Sequence, residues 1–163
     1  MIRMAAAPDA AELARIYNHY VRETIVTFEE EPVADAEMAR RLADVQAASL
    51  PWLVAEEADG VVGYACARPW KPRRGYRFFT EVSVYLDAAH GGRGLGTKLY
   101  TNLLSELRTR HIHAAMGGIA LPNEASVRLH EKLGFEKVAH FREVGFKFGA
   151  WIDVGYWEKI FEP

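Results

Sequence analysis

Cysteine is nearly absent from this chain. Cys66 is the one thiol in 163 residues, so no intrachain disulfide can form. That excludes a secreted, disulfide-stapled scaffold and points to a reducing, cytoplasmic setting. No stretch reaches the roughly 18 apolar residues that a spanning helix needs. The opening Met1-Ile2-Arg3-Met4-Ala5 lacks the apolar run of a signal peptide, so no export is expected. Charge of one sign is missing as well: 20 Lys and Arg stand against 22 Asp and Glu. Neither nucleic acid nor an anionic membrane is therefore the expected partner. Repeats, low-complexity tracts and linkers are absent too. A single domain over residues 1–163 is expected, and 50% hydrophobic residues suffice for its core.

What is present is periodic. After a short opening strand, Pro8-Asp9 begins a helix. Leu13, Ile16, Tyr17, Tyr20 and Val21 give that helix one apolar face, and Glu29-Glu30-Glu31-Pro32 breaks it. A second helix covers 35–48, with Met38, Leu42 and Val45 inward. Trp52-Leu53-Val54-Ala55 and Val61 to Ala67 read as strands joined by an Asp59-Gly60 turn. Residues 68–76, with Pro69, Pro72 and several basic side chains, read as a loop. A strand at 77–86 leads through Gly91–Gly96 into a helix with Leu95, Leu99, Leu103 and Leu107 spaced by four. A strand at 112–121, a helix from Pro122-Asn123 to Gly134, and strands at about 135–147 and 152–160 complete the chain. Helices and strands mix without strict alternation, which predicts an α+β domain with a mixed sheet.

His90-Gly91-Gly92-Arg93-Gly94-Leu95-Gly96-Thr97-Lys98 follows a strand and enters a helix. Glycines let backbone N–H groups close on an anion, and a helix N-terminus favours negative charge. The bland alternative is a tight turn. Two nucleotide motifs fail here. A Walker loop needs Gly-Lys-[Ser/Thr], but Gly96 precedes Thr97-Lys98. A dinucleotide fingerprint needs glycine at 97 or 99, which are Thr and Leu. A nucleotide-binding module is thus disfavoured.

The strand-to-glycine-loop pattern resembles motif A of the GNAT superfamily of N-acetyltransferases. Ile16 to Val21, Thr27-Phe28-Glu29, Pro69 to Arg73, Glu81-x-x-Val84-Tyr85, Leu121 to Glu131 and Gly145 to Gly155 are similar to its phosphinothricin and methionine sulfoximine acetyltransferase subfamily. The resemblance implies a GNAT fold, a mixed sheet of about seven strands with about four helices. It also implies acetyl-CoA as co-substrate, no metal, and a homodimer acting on a small amino acid. The glutamate-like acceptors of the subfamily include phosphinothricin, methionine sulfoximine, methionine sulfone and arsinothricin.

Acetyl transfer to an amine needs a base, a polarised thioester and a leaving thiolate. Strand alternation sets Glu81 with Ser83 and Tyr85, opposite Val82, Val84 and Leu86. The resemblance makes Glu81 the general base and assigns backbone contacts with the pantetheine arm to Val84, Tyr85 and Leu86. It assigns the pyrophosphate to Gly91, Gly92, Arg93, Gly94, Leu95, Gly96 and Thr97. Asn123, an N-cap by its type, and Ser126 add CoA contacts. His130 as a histidinium would protonate the departing thiolate; a packing role is the alternative. Phe28, Lys71, Arg73, Tyr76 and Lys147 would line the acceptor pocket. The chain departs from the subfamily at Gly91, where a Gln or Arg donor is usual, and at Phe79, where a small Thr is usual. The remaining histidines form no metal-ligand spacing. Two other readings compete: acetylation of protein N-termini, which needs an open groove, and an acyl-CoA sensor, which needs no base.

Overall fold

The computed structural model describes residues 1–162. One seven-stranded sheet runs in the order β1-β2-β3-β4-β5-β7-β6. Its strands are β1 (Ile2–Met4), β2 (Trp52–Glu57), β3 (Gly60–Pro69), β4 (Phe79–Leu86), β5 (Ala114–Leu121), β6 (Glu136–Lys147) and β7 (Ala150–Ile160). The helices are α1 (Ala10–Glu23), α2 (Asp35–Ala47), α3 (Leu95–Thr109) and α4 (Glu124–Lys132). The β4–β5 pair is parallel and every other pair antiparallel, so the expected mixed sheet of an α+β domain is present.

The helices cover both faces. On one face, Tyr85 of β4 meets Tyr17 and Tyr20 of α1 at ring separations of 5.2 and 5.1 Å. On the other, Leu86 of β4 and Leu99 of α3 both crowd Gly63 of β3. The α1 stripe is buried as its spacing predicts, through Leu13, Ile16, Tyr17 and Val21.

Boundaries moved where local chemistry overrode pattern. A 3-10 turn at Ala7–Asp9 precedes α1. That helix stops at Glu23, before the acidic run, because Thr24 turns extended and its hydroxyl donates to the Tyr20 carbonyl at 2.9 Å. Another 3-10 turn, Arg74–Tyr76, delays β4 to Phe79. β3 continues through Arg68 and Pro69, two residues read from sequence as loop. Beyond α3, His111 takes φ 58° and the Ile112 amide returns to the Leu107 carbonyl, so β5 begins only at Ala114. Phe148 (φ 51°) and Gly149 (φ 74°) make a tight turn, and β7 starts two residues early.

Candidate active site

The site begins with a fault in the sheet. β4 and β5 pair only over Phe79–Ala114, Thr80–Ala115 and Glu81–Met116. Beyond that point β4 continues to Leu86 and β5 to Leu121 with no ladder between them. The register with β3 and the Asp87 amide bond to the Val62 carbonyl (2.9 Å) turn the backbone groups of Val84 and Leu86 toward this gap. Unpaired strand amides there form a slot for an extended, amide-bearing chain. The Leu86 pair is already engaged. Tyr20 Oη donates to its carbonyl at 2.7 Å and accepts from its amide at 3.2 Å. Val84 thus offers the free backbone contact, and of the expected pair Leu86 is occupied from within the chain.

Glu81 stands at the vertex of the gap, half-buried, on the α1 face with Ser83 and Tyr85. Among the described residues its carboxylate has no hydrogen bond or ion pair. An uncommitted carboxylate beside an opening is free to accept a proton.

The glycine loop leads from the far end of the gap. Asp87 closes β4, capping the Ala89 amide at 3.0 Å and pairing with Arg15 of α1 at 2.5 Å. Those two partners, Arg15 first, hold its carboxyl down to about 2. Gly92 and Gly94 take φ 77° and 75°, a region costly to side chains. Gly91 does not, at φ −66°, so no backbone demand explains glycine there. Gly94 is the N-cap of α3 and supplies no side-chain cap. The first helical bond runs from the Lys98 amide to the Gly94 carbonyl, so the Leu95, Gly96 and Thr97 amides point out of the helix end. With no acid in the first turn, that end suits an anion such as a pyrophosphate. Arg93 is exposed beside it. The opposite wall carries Asn123, whose side chain caps the Ser126 amide at 3.2 Å as expected.

His130 is placed differently from the expectation of a histidinium. It is 3% exposed, edge-on to Tyr100 and Phe135 at 5.1 Å each. Nδ1 lies 2.8 Å from the Ser126 carbonyl, so Nδ1 carries the proton and donates. Nε2 then accepts from the Tyr100 hydroxyl at 3.3 Å. Burial pushes its pKa below the usual value, and the ring is neutral. Its place is made by Gly117, where a Cβ would lie 2.2 Å from Nε2.

The expected acceptor-pocket residues fall into two groups. Lys71, Arg73 and Tyr76 line a crevice of about 660 Å³ at the start of β4, with Arg74, Arg77, Arg110 and Thr80. Lys147 and Phe28 lie elsewhere, where the 24–28 segment meets β6. Lys147 is 1% exposed and donates to the Thr24 and Thr27 carbonyls at 2.8 and 2.7 Å. Two of its three ammonium donors brace that segment, and its burial leaves the side chain no exposed face toward an acceptor. Phe28 is partly exposed and lies over Gly145, whose missing Cβ makes room for the ring.

Sequence reading missed Arg68. The register sets it directly across from Glu81, and side chains opposite one another on neighbouring strands share a face. Trp70, Phe79 and Tyr156 form an aromatic group nearby, with Trp70 6.0 Å from Phe79 and 6.3 Å from Tyr156.

Comparison with known proteins gives a consistent result. The family model described as an acetyltransferase (GNAT) domain matches residues 2–155. A phosphinothricin N-acetyltransferase of Streptomyces viridochromogenes is 42% identical over 161 residues, 99% of this chain and 87% of that protein. An L-methionine sulfoximine/L-methionine sulfone acetyltransferase of Salmonella typhimurium is 40% identical over 158 residues, 95% of this chain and 91% of that one. Among solved structures, a GNAT superfamily phosphinothricin acetyltransferase from Sinorhizobium meliloti in complex with acetyl-CoA superposes with a TM-score of 0.95. It is 32% identical, over 98% of this chain and 87% of that one.

Proposed function

The chain belongs to the GNAT acetyltransferase family, and from that premise we propose that it acetylates the α-amino group of a glutamate-like amino acid. The acceptor class is that of phosphinothricin, methionine sulfoximine, methionine sulfone and arsinothricin. The relatives named for the first three support this reading. So does the uncommitted Glu81 carboxylate at the vertex of the β4–β5 gap, the single observation that carries it.

Acetyl-CoA supplies the thioester. The three outward amides of α3, with Gly92, Gly94 and Arg93, would hold its pyrophosphate, and Asn123 and Ser126 would flank it. The Val84 amide, facing the gap, would polarise the thioester oxygen. Glu81 accepts the ammonium proton, directly or through water, and frees the nitrogen lone pair for direct attack in a ternary complex. An acyl-enzyme step is disfavoured because burial pushes the Cys66 thiol up to about 11, leaving too little thiolate at neutral pH. Expulsion of the CoA thiolate needs no acid, given an ordinary thiol pKa near ~8.5. His130, neutral and buried, positions the start of α4 through Ser126. Lys71 and Arg73, with Tyr76 beside them, form the cationic approach to the acceptor.

We assign a homodimer joined through the β6–β7 hairpin. Phe141, Val144, Phe146, Phe148 and Trp151 all lie more than half exposed there, a patch unusual for a monomer.

The test is thiol release from acetyl-CoA against phosphinothricin, methionine sulfoximine, methionine sulfone, arsinothricin, glutamate and an N-terminal peptide. Turnover confined to the amino acids supports the proposal. Turnover with the peptide alone moves the assignment to protein N-termini. Acetyl-CoA binding without turnover of any acceptor favours a sensor.

A further inference from the structure

We propose that Arg68 anchors the α-carboxylate of the acceptor while Glu81 receives its ammonium, a reading that rests on the amino-acid assignment above. Arg68 and Glu81 are paired across β3 and β4 in direct register. Cross-strand neighbours have Cβ atoms about 4.5–5.5 Å apart and project from the same face. Here that face is the α1 side. Opposite charges so placed would ordinarily close into an ion pair. Among the described residues no hydrogen bond or salt bridge joins them, and neither is tied to any other side chain.

The contrast with other arginines on this side is direct. Arg41 is clamped by Glu29 and Glu37 at 2.6 and 2.9 Å. Arg15 is clamped by Asp87 and Glu12 at 2.5 and 2.9 Å. Arg68 is exposed yet lies within electrostatic reach of Glu81, Tyr85, Tyr17 and Glu29.

A separated carboxylate and guanidinium are the complement of a zwitterion. In an α-amino acid the ammonium and the carboxylate are joined through one carbon. With its nitrogen at Glu81, the nearest anionic group of the acceptor falls toward the neighbouring strand, where Arg68 stands. The planar guanidinium takes a carboxylate through two parallel hydrogen bonds, which also fixes the amine's direction. Trp70, Phe79 and Tyr156 then wall the region where the acceptor side chain would lie. Arg68 has no partner to leave unpaired on its removal, so a purely structural role predicts no kinetic effect.

The experiment is steady-state kinetics of wild type, Arg68→Ala and Arg68→Lys with methionine sulfone as varied acceptor. Loss of a charge-assisted pair should raise the acceptor KM about 10- to 100-fold in Arg68→Ala. The same variant should change kcat far less and leave the acetyl-CoA KM in place. Arg68→Lys should fall between the two. Preference for methionine sulfone over its carboxyl-free amine should drop by the same factor. An unmoved acceptor KM, or a fall confined to kcat, overturns the anchor. Wild-type enzyme that acetylates no amino acid overturns the assignment itself, and the anchor with it.

Discussion

Gly117→Ala probes how tightly the wall of the site is built. A Cβ at this position would lie 2.2 Å from His130 Nε2, 2.7 Å from Cδ2 and 3.3 Å from Cε1. The ring cannot swing aside. Nδ1 is bonded to the Ser126 carbonyl, Nε2 to the Tyr100 hydroxyl, and Tyr100 and Phe135 stand edge-on to it. Nor can the backbone yield, since Gly117 is paired with Trp157 in the β5–β7 ladder. Overpacking a fixed site costs about 1–3 kcal/mol. For a domain of this length each 1 kcal/mol lowers Tm by about 2–4 °C, so a fall of about 2–12 °C is expected. Calorimetry or urea unfolding measures it. The same substitution in a His130→Ala background should cost close to nothing, because the obstructing ring is gone. The cycle should therefore show a coupling of about 1–3 kcal/mol. Additive losses, or a Gly117→Ala protein with wild-type Tm, would refute the placement of His130.

Three further outcomes follow from the geometry. Gly94→Ala meets no atom within 4 Å but must hold φ 75°, which costs about 1–2 kcal/mol. It should raise the acetyl-CoA KM roughly tenfold with little change in acceptor KM, as initial-rate kinetics would read. His130 has a folded-state pKa below its unfolded value, so its stability contribution is complete above about pH 6.5 and declines as pH falls below that. Between pH 7.5 and 5.5 wild type should lose up to about 1.4 kcal/mol that a folded His130→Gln variant retains, in paired urea titrations. Trp151, 65% exposed on the apolar hairpin, should tolerate Glu in the fold yet yield a monomer by light scattering, where wild type should run as a dimer.

Much of the architecture was legible because its signals are local. The 3.6-residue stripe of α1, the Asp59-Gly60 turn and the Leu95–Leu107 spacing each fix an element by short-range rules. The element order read from them matches the structure. The face Glu81 takes was legible for the same reason, since alternation alone tells which face a strand residue takes; its role as base came from the family resemblance. The β4–β5 gap was not. Pairing that stops after three residues is a property of the whole sheet, and Val82–Leu86 reads like any buried strand. Arg68 was hidden by its company. Pro69, Pro72 and the basic residues around them read as loop, whereas pairing with β4 carries β3 on through Pro69. Lys147 shows the reverse error. The family resemblance placed it at the acceptor pocket, but the carbonyls of Thr24 and Thr27, more than 100 positions away, claim it. His130 was legible in position and not in protonation, because burial between α3, α4 and β5 sets its charge.

Glu81→Gln is the most direct test of a carboxylate base at the vertex of the β4–β5 gap. The change keeps the shape and removes the basic oxygen. With methionine sulfone at neutral pH, kcat should fall about 10²- to 10⁴-fold, while acetyl-CoA binds as tightly as to wild type by calorimetry. Raising the pH should recover part of the rate as the acceptor amine deprotonates in solution. A variant that turns over at the wild-type rate, with an unchanged pH profile, would contradict the assignment of Glu81 as the base.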